Sequence, residues 1–188
     1  MSHRFPPIPS IDLSPDQRVA TTKLSQMFGD NPVFKYQNED GSMIGPYSVL
    51  LYTPNLIEPW FGLASSVTKQ GILEPRGKEL AILAVTAVYE APYVLYAHHL
   101  IGASIGLSEE EISNASKGRL SDTLTESEAV TFSIAYELAA GRGPLSESSW
   151  NRALTVLGRE KIAGIAHLVS GYVYTSILLN VGAIGAPE

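Results

Sequence analysis

From Tyr47 onward, apolar residues recur at intervals of three and four, and no stretch alternates apolar and polar with a period of two. The pattern predicts helices over 47–52, 55–71, 76–89, 92–106, 108–117, 125–140, 146–157 and 159–180, linked by two to seven residues. Ser14-Pro15-Asp16-Gln17 opens an earlier helix, with Ser14 as N-cap and Gln17 reaching back. That helix is expected to stop at Gly29-Asp30-Asn31-Pro32. Ser108 with Glu111 and Thr125 with Glu128 repeat the capping arrangement. Pro54 stops one helix, Pro75 opens another, Gly71 ends a third, and Pro92 marks a break. Residues 1–13, rich in proline, read as an extended arm, and residues 35–46 read as a loop. Gly102 and Gly106, like Gly182 and Gly185, are spaced to let helices approach. The expected architecture is all-α with about eight helices. Residues 1–40 form an arm plus an N-terminal helix, and residues 41–188 form a helical domain.

Composition narrows the functional classes. The 188 residues hold 13 Lys+Arg against 19 Asp+Glu, a net charge of −6, which argues against a nucleic-acid partner. There are no cysteines, so disulfides, thiolate nucleophiles and thiol redox chemistry are closed to this chain acting alone. The beginning lacks an apolar signal region, and a cytoplasmic protein is expected. Two stretches, 80–107 and 167–184, are apolar enough to raise a membrane question. Both carry polar or ionisable residues in their middles, and both are read as buried helices of a soluble protein with no membrane partner.

Buried polar residues in such helices are where chemistry tends to sit. On the 76–89 helix, Glu79, Ile82, Leu83 and Thr86 share one face, joined by Glu90 if the helix persists that far. On the next helix, Ala91, Val94, Leu95, His98, Gly102 and Ile105 form a stripe that leaves room for a pocket beside His98. One reading pairs Glu79 with His98, the carboxylate orienting an imidazole whose ordinary pKa near ~6.5 suits proton transfer. The other makes His98 a core residue on a backbone carbonyl and pairs Glu79 with Arg76 or Lys78. Glu90 is a second acid or a helix-terminal carboxylate that complements the dipole. Tyr93 and Tyr96 line a pocket or simply pack. His167 is a satisfied core histidine or closes the same pocket, and Tyr172 and Tyr174 read as core or interface aromatics. His98 and His99 cannot face one metal from a single helix, and no clean ligand spacing is present. No Walker, GxGxxG or GxSxG motif occurs. Cofactor-free acid/base chemistry is what these residues offer.

As a set, Arg76-Gly77-Lys78-Glu79-Leu80-Ala81-Ile82-Leu83, then Glu90, His98 and Gly106-Leu107-Ser108-Glu109-Glu110-Glu111-Ile112, resemble the carboxymuconolactone decarboxylase family. Its superfamily includes the alkylhydroperoxidase D-like proteins. Leu178-Leu179-Asn180-Val181-Gly182 and the stretch from Gly45-Pro46 to Pro54-Asn55 are similar to the family's terminal and first motifs, so the resemblance covers roughly residues 45–185. The peroxidase branch carries E-C-x-x-C-x-x-x-H with a glutamate twelve residues before the first cysteine. Glu90, His98 and Glu79 match these positions, while Ala91 and Val94 stand where the cysteines would be. Val94 also stands where many decarboxylase-like members have a glutamate. The resemblance implies an all-α domain that assembles as trimers or hexamers, with a site near a subunit interface.

Two functions follow as expectations. The first is a cofactor-independent lyase or isomerase acting on a small carbonyl, lactone or keto acid. There His98 is the general acid/base, Glu79 its partner, and Glu90, Tyr93, Val94, Tyr96 and His167 border the substrate. The second is a non-catalytic small-molecule binder or assembly subunit. Separation of Glu79 from His98 would favour the second. Peroxidase chemistry would need borrowed thiols.

Overall fold

The computed structural model describes residues 4–29 and 31–187. Met1–His3 of the arm, Asp30 at the expected stop of the first helix, and Glu188 lie outside the described residues. Among the described residues there are nine α-helices and no named strand. They are α1 (Pro15–Phe28), α2 (Pro46–Leu50), α3 (Ile57–Thr68), α4 (Pro75–Tyr89), α5 (Pro92–Ser104), α6 (Glu109–Ala115), α7 (Glu126–Ala140), α8 (Glu147–Val156) and α9 (Gly158–Gly182). All three expected capping boxes form, at Ser14–Gln17, Ser108–Glu111 and Thr125–Glu128. Pro15, Pro46, Pro75 and Pro92 each occupy the first turn of a helix, where the missing N–H costs nothing.

Helix α4 is the hub, packed against α5, α6, α7 and α9. Every residue from Glu79 to Thr86 is buried, which explains why no polar stripe interrupts that stretch. Arg76, in its first turn, ties three other segments to it. Its Nε donates to Glu128 Oε1 (2.6 Å), one terminal nitrogen to the Gly106 carbonyl (2.6 Å), and the other to Glu111 Oε1 (2.9 Å). Glu111 and Glu128 are also the carboxylates of the α6 and α7 capping boxes. One guanidinium therefore fixes the starts of three helices.

A second apolar cluster joins Leu13, Ala20, Leu24 and Tyr36 to Met43, Tyr47, Leu50, Leu51 and Ile57. It spans the 40/41 boundary and seats α1 on α2 and the start of α3. The loop between α1 and α2 is clamped by α5: the Tyr93 hydroxyl donates to the Lys35 carbonyl (2.8 Å), and the Lys35 N–H donates to the Tyr96 hydroxyl (3.0 Å).

Some expectations change. Helix α4 ends at Tyr89, and Glu90 takes a left-handed conformation (φ 47°), so Glu90 leaves the face of Glu79. Gly102 does permit close contact, since a Cβ there would meet Leu107 at 3.1 Å, but Gly106 is a turn residue (φ 89°) with open space around it. Helix α9 is long and apolar enough to cross a membrane, yet it packs along one side against α2, α3, α4, α7 and α8. It is buried on that side only.

Candidate active site

Glu79 and His98 meet. Glu79 projects from the second turn of α4, and His98 from the middle of α5. Both are buried, with 2% and 8% of their surface exposed. His98 Nδ1 lies 2.6 Å from Glu79 Oε2. An ionised carboxylate only accepts, so Nδ1 carries the proton and Nε2 is left with a free lone pair. Nε2 has no hydrogen-bond partner among the described residues, and the His98 side chain keeps 11% of its surface exposed. The imidazole is thus oriented from behind by a buried acid and open at the other nitrogen, the arrangement a general base requires.

Tyr172 of α9 completes the cluster. Its ring stands edge-on to the His98 ring, with centroids 5.0 Å apart and planes at 84°. Its hydroxyl makes no hydrogen bond among the described residues. Burial first, then the negative charge of Glu79 and the nearby Tyr47, push its phenol well above the ordinary value. It therefore stays protonated and available as a donor. One turn further along the inward face of α9, Ser176 is fully buried and its Oγ has no hydrogen-bond partner among the described residues. The aromatic pattern alone leaves Tyr172 between core and interface. Its place on a stripe with Leu168, Val169, Ser176 and Leu179 signals burial, but nothing in the sequence pairs that stripe with His98.

The other candidates have different places. Arg76 bonds Glu111 and Glu128, and Lys78 Nζ donates to the Thr68 carbonyl (3.3 Å), so neither serves as the partner of Glu79. Tyr93 and Tyr96 hold the loop between α1 and α2 through Lys35. Val94 is buried in the main core. Glu90 is exposed and borders a shallow depression of about 390 Å³ with Tyr89, Pro92 and Asn180, away from His98. It makes no side-chain cap on α5. His167 is neither a core histidine nor a pocket wall: Gly164, Ile165, Leu168 and Val169 take the inward positions, and the helical repeat turns His167 out to solvent. A second depression, about 510 Å³, lies between α1 and the 37–41 loop. No group of three or more metal-ligating side chains occurs among the described residues.

No family model and no curated protein matches the chain. Solved structures do. The AhpD core of an uncharacterised peroxidase-related protein from Ralstonia eutropha JMP134 superposes with a TM-score of 0.77 at 14% identity, covering 98% of this chain and 92% of that one. A variant of the debrominase Bmp8, in complex with 2,3,4-tribromopyrrole, gives 0.75 at 13%, covering 100% and 94%. An Agrobacterium tumefaciens protein of unknown function, described as a putative antioxidant defence protein AhpD, gives 0.68 at 18%, covering 74% and 95%. The chain has the AhpD-like fold. Within that fold, the residues behind the sequence resemblance divide between two tasks. Arg76, Gly106 and Glu111 hold helix starts together, and Glu79 with His98 forms the buried dyad. Ala91 and Val94 fill the peroxidase-branch cysteine positions with apolar side chains.

Proposed function

We propose that this protein is a cofactor-independent lyase or isomerase that moves protons on a small carbonyl, lactone or keto-acid substrate. The observation that carries this reading is the 2.6 Å contact between buried Glu79 and His98, with the second imidazole nitrogen unpartnered among the described residues. A histidine kept only for packing has no need of a buried carboxylate behind it and a free nitrogen in front.

In an isomerisation, His98 Nε2 takes a proton from the carbon next to the carbonyl, and the electron pair moves onto the carbonyl oxygen. Glu79 stabilises the imidazolium that forms. The Tyr172 hydroxyl donates to the developing oxyanion, a role that its raised pKa suits. His98 then returns the proton to a different carbon. In a decarboxylation, the carbon–carbon bond breaks first, carbon dioxide leaves, and the same enolate is protonated by His98 entering as imidazolium. A fold neighbour described in complex with 2,3,4-tribromopyrrole supports a small unsaturated ring as the size of ligand.

A second reading, a binding protein that has lost its chemistry, is favoured by Ala91 and Val94, which remove the thiol machinery of the peroxidase branch. Mass spectrometry of wild type and His98→Ala against β-keto acids, carboxy-lactones and unsaturated lactones separates the two. Turnover that falls by about 10²–10⁴-fold in the variant supports the enzyme. An unchanged rate in His98→Ala removes His98 from the chemistry, and binding without turnover by wild type favours the binding protein.

A further inference from the structure

Helix α9 carries an exposed stripe that the single chain covers only at two places, where Tyr174 meets the Trp60 ring and where Arg4 donates to the Val181 carbonyl (3.2 Å). Ala163, His167, Ser170, Tyr174, Ile177 and Val181 all face solvent, at alternating spacings of four and three. Tyr174, Ile177 and Val181 are 40, 54 and 51% exposed. The stripe runs about 27 Å along the helix at 1.5 Å per residue. A strict four–three alternation is the seam of a helix pair rather than the wider face of a helix on a core. After Lys161 the helix has no formal charge. The neighbouring α3, which meets α9 through Trp60 and Tyr174 (ring centroids 6.4 Å), exposes Leu63 and buries only Ile57 completely.

We propose that this stripe is a two-fold interface with a second copy of this chain, α9 against α9, antiparallel and centred at the level of residue 172. The sequence of sizes makes the stripe complementary to its own reverse. In that register Ala163 faces the other copy's residue 181, a valine; His167 faces 177, an isoleucine; and Ser170 faces 174, a tyrosine. A small or polar position meets a large one at every level, as interdigitation requires. A parallel pair would set tyrosine on tyrosine and alanine on alanine. Charge agrees with the antiparallel choice. Arg159, Glu160 and Lys161, at the start of α9, fall opposite residues 185, 184 and 183 of the other copy, so a net positive charge of one meets the negative end of its helix dipole. The shared patch is the same on both copies, as a closed two-fold contact demands.

The chain has no cysteine, so cross-linking reads the register directly. The expected result is that Ala163→Cys/Val181→Cys forms a covalent dimer under mild oxidation while neither single variant does. Light scattering should show an even-numbered assembly for wild type and half that mass or less for Ile177→Glu, with unchanged helical circular dichroism. Efficient cross-linking of each single variant would establish a parallel pair and overturn the register. A wild type that stays monomeric at micromolar concentration would overturn the interface. Because α9 is also long and apolar enough for lipid, the monomer would then be sedimented with phosphatidylcholine/phosphatidylglycerol vesicles, and co-sedimentation lost in Ile177→Glu would assign the stripe to a membrane surface instead.

Discussion

At the scale of single residues, the proton on His98 Nδ1 is the feature everything else depends on. Glu79 holds it there, and that leaves Nε2 as the base. Glu79→Gln keeps the size of the side chain but offers an amide N–H in place of a second acceptor. The imidazole is then free to adopt the opposite tautomer, with Nε2 protonated and useless as a base. Nitrogen-15 NMR of the imidazole should show that exchange, and turnover should fall by about 10²–10⁴-fold, as expected for a lost base. An unchanged tautomer with unchanged turnover would relegate Glu79 to packing. Tyr172→Phe tests the donor separately. It should reduce kcat by about 10²-fold while leaving KM nearly unchanged, because the hydrogen bond strengthens only as the oxyanion develops. A change confined to KM would make Tyr172 a binding residue. Glu79 and His98 are legible in the sequence as candidates because each stands beside apolar neighbours on its helix; spacing alone leaves a core histidine equally open, and the family resemblance is what joins the two. Tyr172 is not, because a tyrosine on a core stripe satisfies packing whether or not a histidine stands beside it. His167 misleads for the opposite reason: apolar neighbours on all sides suggest burial, but only the side of α9 packed on α2, α3, α4, α7 and α8 is buried.

At the scale of helices, boundaries were readable because capping boxes and first-turn prolines are local chemistry. What local chemistry does not encode is how starts are tied to one another. Arg76 does this, and it looks in sequence like an ordinary residue of a charged first turn. Arg76→Leu leaves the carboxylates of Glu111 and Glu128 without their guanidinium, and it should destabilise the fold by about 3 kcal/mol, measured by urea unfolding. Adding Glu111→Leu should recover part of that loss, since a stranded charge then disappears; a further loss would show that Arg76 acts through packing alone. The junction between α4 and α5 is a different case. Glu90 adopts φ 47° there, a conformation costing about 1–2 kcal/mol in any residue but glycine. Glu90→Gly should therefore raise the melting temperature. A lower melting temperature would reveal a contact of the Glu90 side chain that outweighs the backbone strain.

For the molecule as a whole, the same carboxylates set the response to acid. Hydrogen bonds from Arg76 hold the Glu111 carboxyl at about 2, against an ordinary value of 4.5. The Ser108 N–H and the Thr123 hydroxyl add to the effect, and burial opposes it. Glu137 is also lowered, by the Ser146 N–H and the Ser149 hydroxyl. A carboxyl lowered by folding binds its proton more readily in the unfolded chain. As pH falls below about 5, the unfolded state takes up protons first, and the equilibrium moves toward it. The stabilisation from Glu111 is thus complete above its ordinary value and is lost progressively as pH falls toward about 2. Glu111→Gln removes the titrating group while keeping its shape. The variant should be less stable than wild type at neutral pH, and its melting temperature should fall less steeply between about pH 5 and about pH 2.5. The two curves should converge at the acid end, where Glu111 of the wild type is itself becoming neutral. Melting curves that stay parallel across that range would mean that Glu111 contributes through its cap and its packing rather than through its charge. In that case the acid sensitivity of this net-negative chain would belong to the other lowered carboxyls, Asp40, Glu128 and Glu137.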